Sequence, residues 1–206
     1  MTERPTPPTR IQAKNRAAIL EAALTVFSDR GYSGATLAAI ARAAGLSKAN
    51  LLYYFPGKAA IYEALLASLL ETWLAPLRAL DADGAPREEI LRYMRRKLEM
   101  SRHMPRESRL FAGEMLAGAP VMGATLAGEL RALVDEKAEV IAGWAAAGRI
   151  APVDPHHLIF SIWALTQHYA DFDVQVRAVL GPGRDPFDEA ECFLSDLFAR
   201  LLAPGA

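Results

Sequence analysis

Two groups of residues in this chain carry chemistry, and in both it is the chemistry of recognition. The first is Ser47, Lys48, Ala49, Asn50, Tyr53 and Tyr54, with Lys58 just beyond. Ala49 lets a backbone approach base edges or a thymine methyl, and the Asn50 amide both donates and accepts there. Tyr53, Tyr54 and Lys58 suit phosphate oxygens, contacts that set register rather than sequence. Lys58 also lies near the start of a helix, whose free N–H groups favour an anion. The second group is Trp163 and Gln167, four residues apart and so on one helix face. An indole beside an amide makes a floor for a flat polar heterocycle. The amide offers a donor and an acceptor side by side, matching an N–H/C=O edge such as a pyrimidine imide. Trp73 can supply a second aromatic wall. Each group also has a plainer reading. The first could be the solvated face of a small helical domain, and the second could be two core tryptophans with an amide bonded at an interface.

The first group needs short helices at a fixed turn. Leu37, Ile40, Ala41 and Ala44 recur at helical spacing, and Gly45 stops that segment. Ser47 caps a second segment that turns Leu51 and Leu52 inward and ends before Pro56. Two short helices about a glycine turn make a helix-turn-helix. Its second helix enters the major groove while the first crosses the backbone. Thr36 is placed as the N-cap of the first, within reach of a phosphate as well. A helix from Lys14 to Arg30, stopped by Gly31, completes a three-helix head over 13–58. Residues 1–12 read as a flexible arm rich in proline, with Arg4 and Arg10 able to reach DNA.

Charge is divided accordingly. Residues 1–58 hold eight basic and three acidic side chains, while the remainder holds fifteen basic and twenty-one acidic ones, for a net charge of -1. A positive head on a negative body fits one end that faces phosphates. No apolar run reaches the roughly 20 residues of a membrane span, and the N-terminus lacks the apolar segment of a secretory signal. The lone Cys192 rules out an internal disulfide and suits the cytoplasm.

The body, 59–206, reads as helical throughout. A helix from about Gly57 to Ala75 starts at the DNA end and finishes in the body, and Pro76 should end or kink it. It is the natural element to transmit a change from body to head. Prolines then mark helix starts: Pro86 to about Arg102, Pro105 to about Ala117, Pro120 to near Gly148, Pro155 to about Val179, and Pro186 to about Leu202. The fold class is all-α, with about nine helices and no sheet. The last two helices carry more apolar surface than terminal helices leave exposed, among it Ile162, Phe172, Phe193, Leu197 and Leu201. They can form a two-fold four-helix interface, and a homodimer carries two heads to a palindromic operator.

Enzyme signatures are missing. There is no glycine-rich phosphate loop and no H-E-x-x-H. The adjacent His156 and His157 point about 100° apart on a helix and cannot chelate together. Neither a metal nor a cofactor is expected. An enzyme acting on a small heterocycle would need an acid, a base and a nucleophile in reach, and none is evident. A helical adaptor for other proteins would not need the basic head or the tyrosines.

The string SKANLLYYFPGKAAIYEAL resembles the DNA-binding segment of TetR-family repressors, in which Ser-Lys opens a helix followed by a Tyr-Tyr/His-Phe-x-x-Lys run. WLAPL at Trp73, SRLFAGEMLAGAP at Ser108 and LIFSIWALTQHYADF at Leu158 resemble the pyrimidine-utilisation (Rut) branch of that family. The resemblance implies a repressor, or dual regulator, released by uracil or thymine. It implies a pyrimidine pocket lined by Trp73, Trp163 and Gln167. Phe111, Glu114 and Met115 are further wall candidates. A different flat heterocycle or apolar ligand is the alternative. The short proline-rich arm departs from the family pattern, so arm contacts to DNA do not carry over.

Overall fold

Short apolar stripes, many of them bounded by a glycine or a proline, divide this chain into helices. The computed structural model describes residues 10–204, and among them it has ten helices and no strand. The chain falls into two compact units, Met1–Leu69 and Leu70–Ala206.

In the first unit, α1 (Arg10–Gly34), α2 (Leu37–Ala43) and α3 (Lys48–Tyr54) surround a core of Ile19, Phe27, Ile40, Leu51 and Phe55. The start of α4 (Lys58–Arg78) adds Ile61 and Leu66 to it. Each such side chain contributes about 1.5–3 kcal/mol by leaving water. Helix α1 starts four residues earlier than its apolar periodicity suggests. Arg10 is therefore helical, while the expectation for Arg4 and the rest of the arm lies outside the described residues. Gly31 (φ 66°) interrupts α1, and a last turn follows it.

The turn between α2 and α3 is built by Gly45. At φ 67° it takes a left-handed conformation that costs glycine nothing. The amide of Gly45 then reaches the Arg42 carbonyl and that of Leu46 the Ala41 carbonyl, at 3.1 and 2.9 Å. That pair is the Schellman pattern that closes a helix.

The second unit is organised on α5 (Pro86–His103), which packs against α8 (Pro155–Asp171) and α10 (Pro186–Leu201). Around them lie α6 (Pro105–Leu116), α7 (123–146, with a π-helical segment at Leu126–Leu130) and α9 (Asp173–Leu180). Proline opens α5, α6, α8 and α10. Asp154 and Asp185 cap α8 and α10, accepting from the amides of His157 and Phe187.

Several boundaries differ from the sequence reading, each for a local reason. Helix α4 passes through Pro76 to Arg78, because the 79-to-75 backbone bond (3.1 Å) survives the missing proline N–H. The segment expected to start at Pro120 starts at Gly123. Gly118 and Ala119 have positive φ, and the Glu114 carboxylate takes the amides of Val121 and Met122. The helix expected to run to Val179 breaks at Phe172 (φ -114°, ψ 28°) into α8 and α9, which raises the count from nine to ten. Leu52, expected inward, is 39% exposed. By length and composition α4 could cross a membrane, against the expectation that no apolar run is long enough. Its Ile61, Leu65, Leu66, Leu70, Trp73 and Leu77 are buried in protein instead.

Candidate nucleic-acid interface and ligand pocket

Helix α3 presents its polar residues to solvent. Ser47, Lys48, Ala49, Asn50 and Tyr53 are exposed, while Leu51 is fully buried beneath them. The caps fix both short helices. Thr36 Oγ1 accepts from the Ala39 amide and Ser47 Oγ from the Asn50 amide, each at 3.1 Å. A hydroxyl that accepts still has its own O–H to give, so both caps keep a donor for a phosphate.

The tyrosines are held from α1. Asn15 Nδ2 donates to the Tyr54 hydroxyl at 2.7 Å, and Gln12 Nε2 to the Tyr53 hydroxyl at 3.2 Å. The Arg16 guanidinium lies 4.1 Å from the Phe55 ring centre and donates to the Tyr54 carbonyl. Tyr53 remains 72% exposed, and Tyr54 is half-buried. Lys58 departs from the expected role. Its Nζ donates to the carbonyls of Tyr32 (2.7 Å) and Ala35 (3.1 Å) and sits over the Tyr32 ring. It ties α4 to the end of α1, leaving one of its three N–H donors for DNA.

In the second unit, Trp73 from α4, Phe111 from α6, and Trp163 and Gln167 from α8 line one cavity of about 50 Å³. Trp73 and Phe111 stack at 6.3 Å between ring centres. Trp163 Nε1 donates to the Tyr93 hydroxyl at 2.6 Å. Burial pushes the Tyr93 phenol well above its ordinary pKa, so it stays a neutral partner. The Trp73 Nε1 donor is buried with no partner. Such an unmade hydrogen bond costs about 1–3 kcal/mol.

Two of the expected wall residues do not line this cavity. The Glu114 carboxylate is turned to the loop after α6, where it accepts from Val121 (2.7 Å) and Met122 (3.2 Å). Met115 is half-buried outside the lining. One residue that the sequence reading passed over does line it. Lys97 of α5 is 4% exposed, with Nζ 4.8 Å from the centre of the Trp73 ring. Desolvation lowers its pKa to about 8, against the pull of Asp171. Burial raises the Asp171 pKa in turn, while the carboxylate accepts from Ser108 Oγ at 2.6 Å.

Larger clefts exist in this unit. One of about 630 Å³ lies along α4 and α5, and one of about 440 Å³ along α9 and α10. Neither includes the unpaired Trp73 donor, which sets the small cavity apart from them. Among the described residues no group of His, Cys, Asp or Glu could hold a metal, and His156 pairs with Asp135.

Comparison with known proteins joins these observations. Residues 19–65 match the bacterial regulatory proteins of the tetR family, and residues 66–204 match the C-terminal region of YcdC-like proteins. The HTH-type transcriptional regulator RutR of Escherichia coli (strain K12) is 57% identical over 171 residues, 83% of this chain and 80% of RutR. The chain belongs to the TetR family of bacterial regulatory proteins. It is a transcriptional regulator of the helix-turn-helix type and not an enzyme.

Solved TetR-type structures share the fold. A tetR-family regulatory protein from Rhodococcus RHA1 superposes with a TM-score of 0.74 at 19% identity, over 94% of this chain and 99% of that one. AibR in complex with isovaleryl coenzyme A and operator DNA gives 0.64 at 23% identity, over 93% and 100%. In this TetR-family chain the residues missing from the sequence reading are Gln12, Asn15 and Lys97. Lys97 had a signal. Ile90, Met94, Lys97 and Ser101 recur at helical spacing along the buried side of α5, and a lysine in such a stripe asks for a partner.

Proposed function

We propose that this regulator is a repressor of pyrimidine utilisation whose grip on its operator is released by uracil or thymine. The DNA-binding part is 13–58, reading base edges with Ala49 and Asn50 and holding phosphates with Thr36, Ser47, Lys48, Tyr53 and Tyr54. The ligand part is 59–206, with Trp73, Phe111, Trp163 and Gln167 around the effector. Two copies pair through α8 and α10 to read a palindrome in the cytoplasm.

One observation carries the ligand reading. The cavity has an apolar, aromatic lining, an amide, and a buried indole N–H without a partner. A carbonyl oxygen of a flat ring would satisfy that N–H, and the Gln167 amide would meet an adjacent N–H/C=O edge. Pairing through α10 is supported by Phe193, Leu197 and Leu201, exposed by 60, 38 and 46% at successive helical turns. The cavity, about 50 Å³, has room for a few waters but is small for a pyrimidine ring. A ligand must therefore move its walls, one of which is α4, the helix that begins in the DNA-binding unit. The energy available to release DNA is the difference in ligand affinity between the two conformations.

The test is fluorescence anisotropy on a labelled operator with added uracil, thymine or cytosine. Uracil and thymine should release the DNA to similar degrees, since one methyl changes affinity only modestly, and cytosine should not. Gln167→Ala should bind operator normally and no longer respond. Operator binding that ignores all three bases would exclude the pyrimidine effector and leave the regulator in place.

A further inference from the structure

The ligand cavity holds a feature that a neutral heterocycle does not by itself call for. Lys97 is 4% exposed and lines the same cavity as Trp73 and Gln167. With a pKa of about 8 it is mainly an ammonium at neutral pH. A buried cation is strongly unfavourable unless it is paired. The carboxylate whose charge reaches it is Asp171, which is half-buried and already accepts the Ser108 hydroxyl. Arg109 and His168 also draw on that carboxylate. The Trp73 ring also faces the ammonium, and its π-face is a weak partner for a cation. The positive charge at this cavity is thus under-compensated, and beside it the Trp73 N–H is a donor with nothing to donate to.

We propose that Lys97 is a ligand-binding residue whose ammonium faces a carbonyl oxygen of the effector, so that the pocket selects weakly acidic cyclic imides by the negative charge those oxygens can take up. This rests on the pyrimidine reading of the cavity and deepens it. An imide places two carbonyl acceptors on either side of one N–H. Lys97 and the Trp73 N–H serve the acceptors, and the Gln167 carbonyl takes the N–H. The more acidic the imide, the larger the share that loses its proton to water and binds as the anion; its oxygens then hold the negative charge, and the Gln167 amide turns to donate an N–H to the ring nitrogen. The charge-assisted bond to Lys97 strengthens accordingly. An amino group in place of a carbonyl would turn a donor toward Lys97, so cytosine is repelled by the same residue.

The experiment uses full-length protein and three rings of nearly one size, uracil, 5-fluorouracil and 6-azauracil, whose imides grow more acidic in that order. Dissociation constants are measured by calorimetry at pH 6, where Lys97 is charged. The wild type should bind more tightly along the series. Lys97→Met keeps the volume of the side chain and removes a buried charge, so the fold should persist. It should bind uracil about ten- to a hundredfold more weakly, as loss of a hydrogen bond to a charged group predicts, and its affinities should no longer follow acidity. A flat series in the wild type, or an undiminished slope in Lys97→Met, overturns the role of Lys97 and spares the pocket. Failure of the wild type to bind any of the three overturns the pocket reading, and this proposal with it.

Discussion

The two units handle their polar residues in opposite ways. In the first, Ser47, Lys48, Asn50 and Tyr53 stand in solvent above a buried Leu51. In the second, Lys97, Ser108, Glu114 and Thr166 lie buried. Water pays the solvation of the first set, so those residues are free to be whatever a partner surface needs. The second set must be satisfied inside the protein. Ser108, Glu114 and Thr166 are, through Asp171, the Val121 and Met122 amides, and the Ile162 carbonyl. Lys97 is the poorly compensated member. A polar residue that a fold keeps buried at a cost is a pointer to a ligand only where its neighbours do not already account for it.

The comparison can be broken at Lys97. Its pKa falls from 10.5 to about 8 on folding, so between those values the unfolded chain binds the extra proton. Stability then rises with pH across that window. Below it the buried charge costs roughly 3 kcal/mol. Lys97→Met should therefore be more stable than wild type at pH 7 by about that amount in urea unfolding, and the gain should vanish by about pH 11. Equal stability of the two proteins at pH 7 would mean that the ammonium is well paired and that the contrast between the units is false.

The next effect belongs to the exposed set. Lys48→Ala and Asn50→Ala should change folding stability by less than about 0.5 kcal/mol, since neither side chain is buried. Operator affinity should respond, and differently in each. Asn50→Ala should lose about 1–3 kcal/mol on the right sequence and relax specificity at one position. Lys48→Ala should weaken all sequences alike and reduce the salt dependence by about one counterion. Uniform loss in both variants would make α3 a backbone-binding element only.

The same contrast explains what could be read in advance. Thr36, Gly45 and Ser47 announce the helix-turn-helix because a cap or a left-handed turn depends on atoms a few residues away. Trp163 and Gln167 share a helix face by their spacing, and Trp73 suggests itself as a second aromatic wall, but Phe111 joins them only through family resemblance, since the four come from three helices far apart in sequence. Glu114 is a further wall candidate in the sequence, but the backbone of the following loop claims its carboxylate, and no spacing rule foretells a left-handed Ala119. Lys97 sits in RYMRRKLEM among three arginines, where a basic residue reads as solvated surface. Its place on the buried stripe is visible only when the helix is aligned on Ile90 and Met94. The break at Phe172 left no proline or glycine to mark it.

The smallest effect separates the two duties of Ser47. Its side chain caps α3, accepting from the Asn50 amide, and α3 has only seven residues over which to spread the cost of an open end. Ser47→Ala should lower stability by about 1 kcal/mol. That loss alone cannot say whether the hydroxyl also meets a phosphate. Ser47→Asp can. An aspartate caps as well as a serine and its charge suits a helix N-terminus, so stability should return to the wild-type level. Against a phosphate the same charge is repulsive, so operator affinity should fall below that of Ser47→Ala, most steeply at low salt where charges are least screened. If Ser47→Asp binds operator as well as wild type at low salt, Ser47 is a cap and nothing more. The recognition surface would then begin at Lys48.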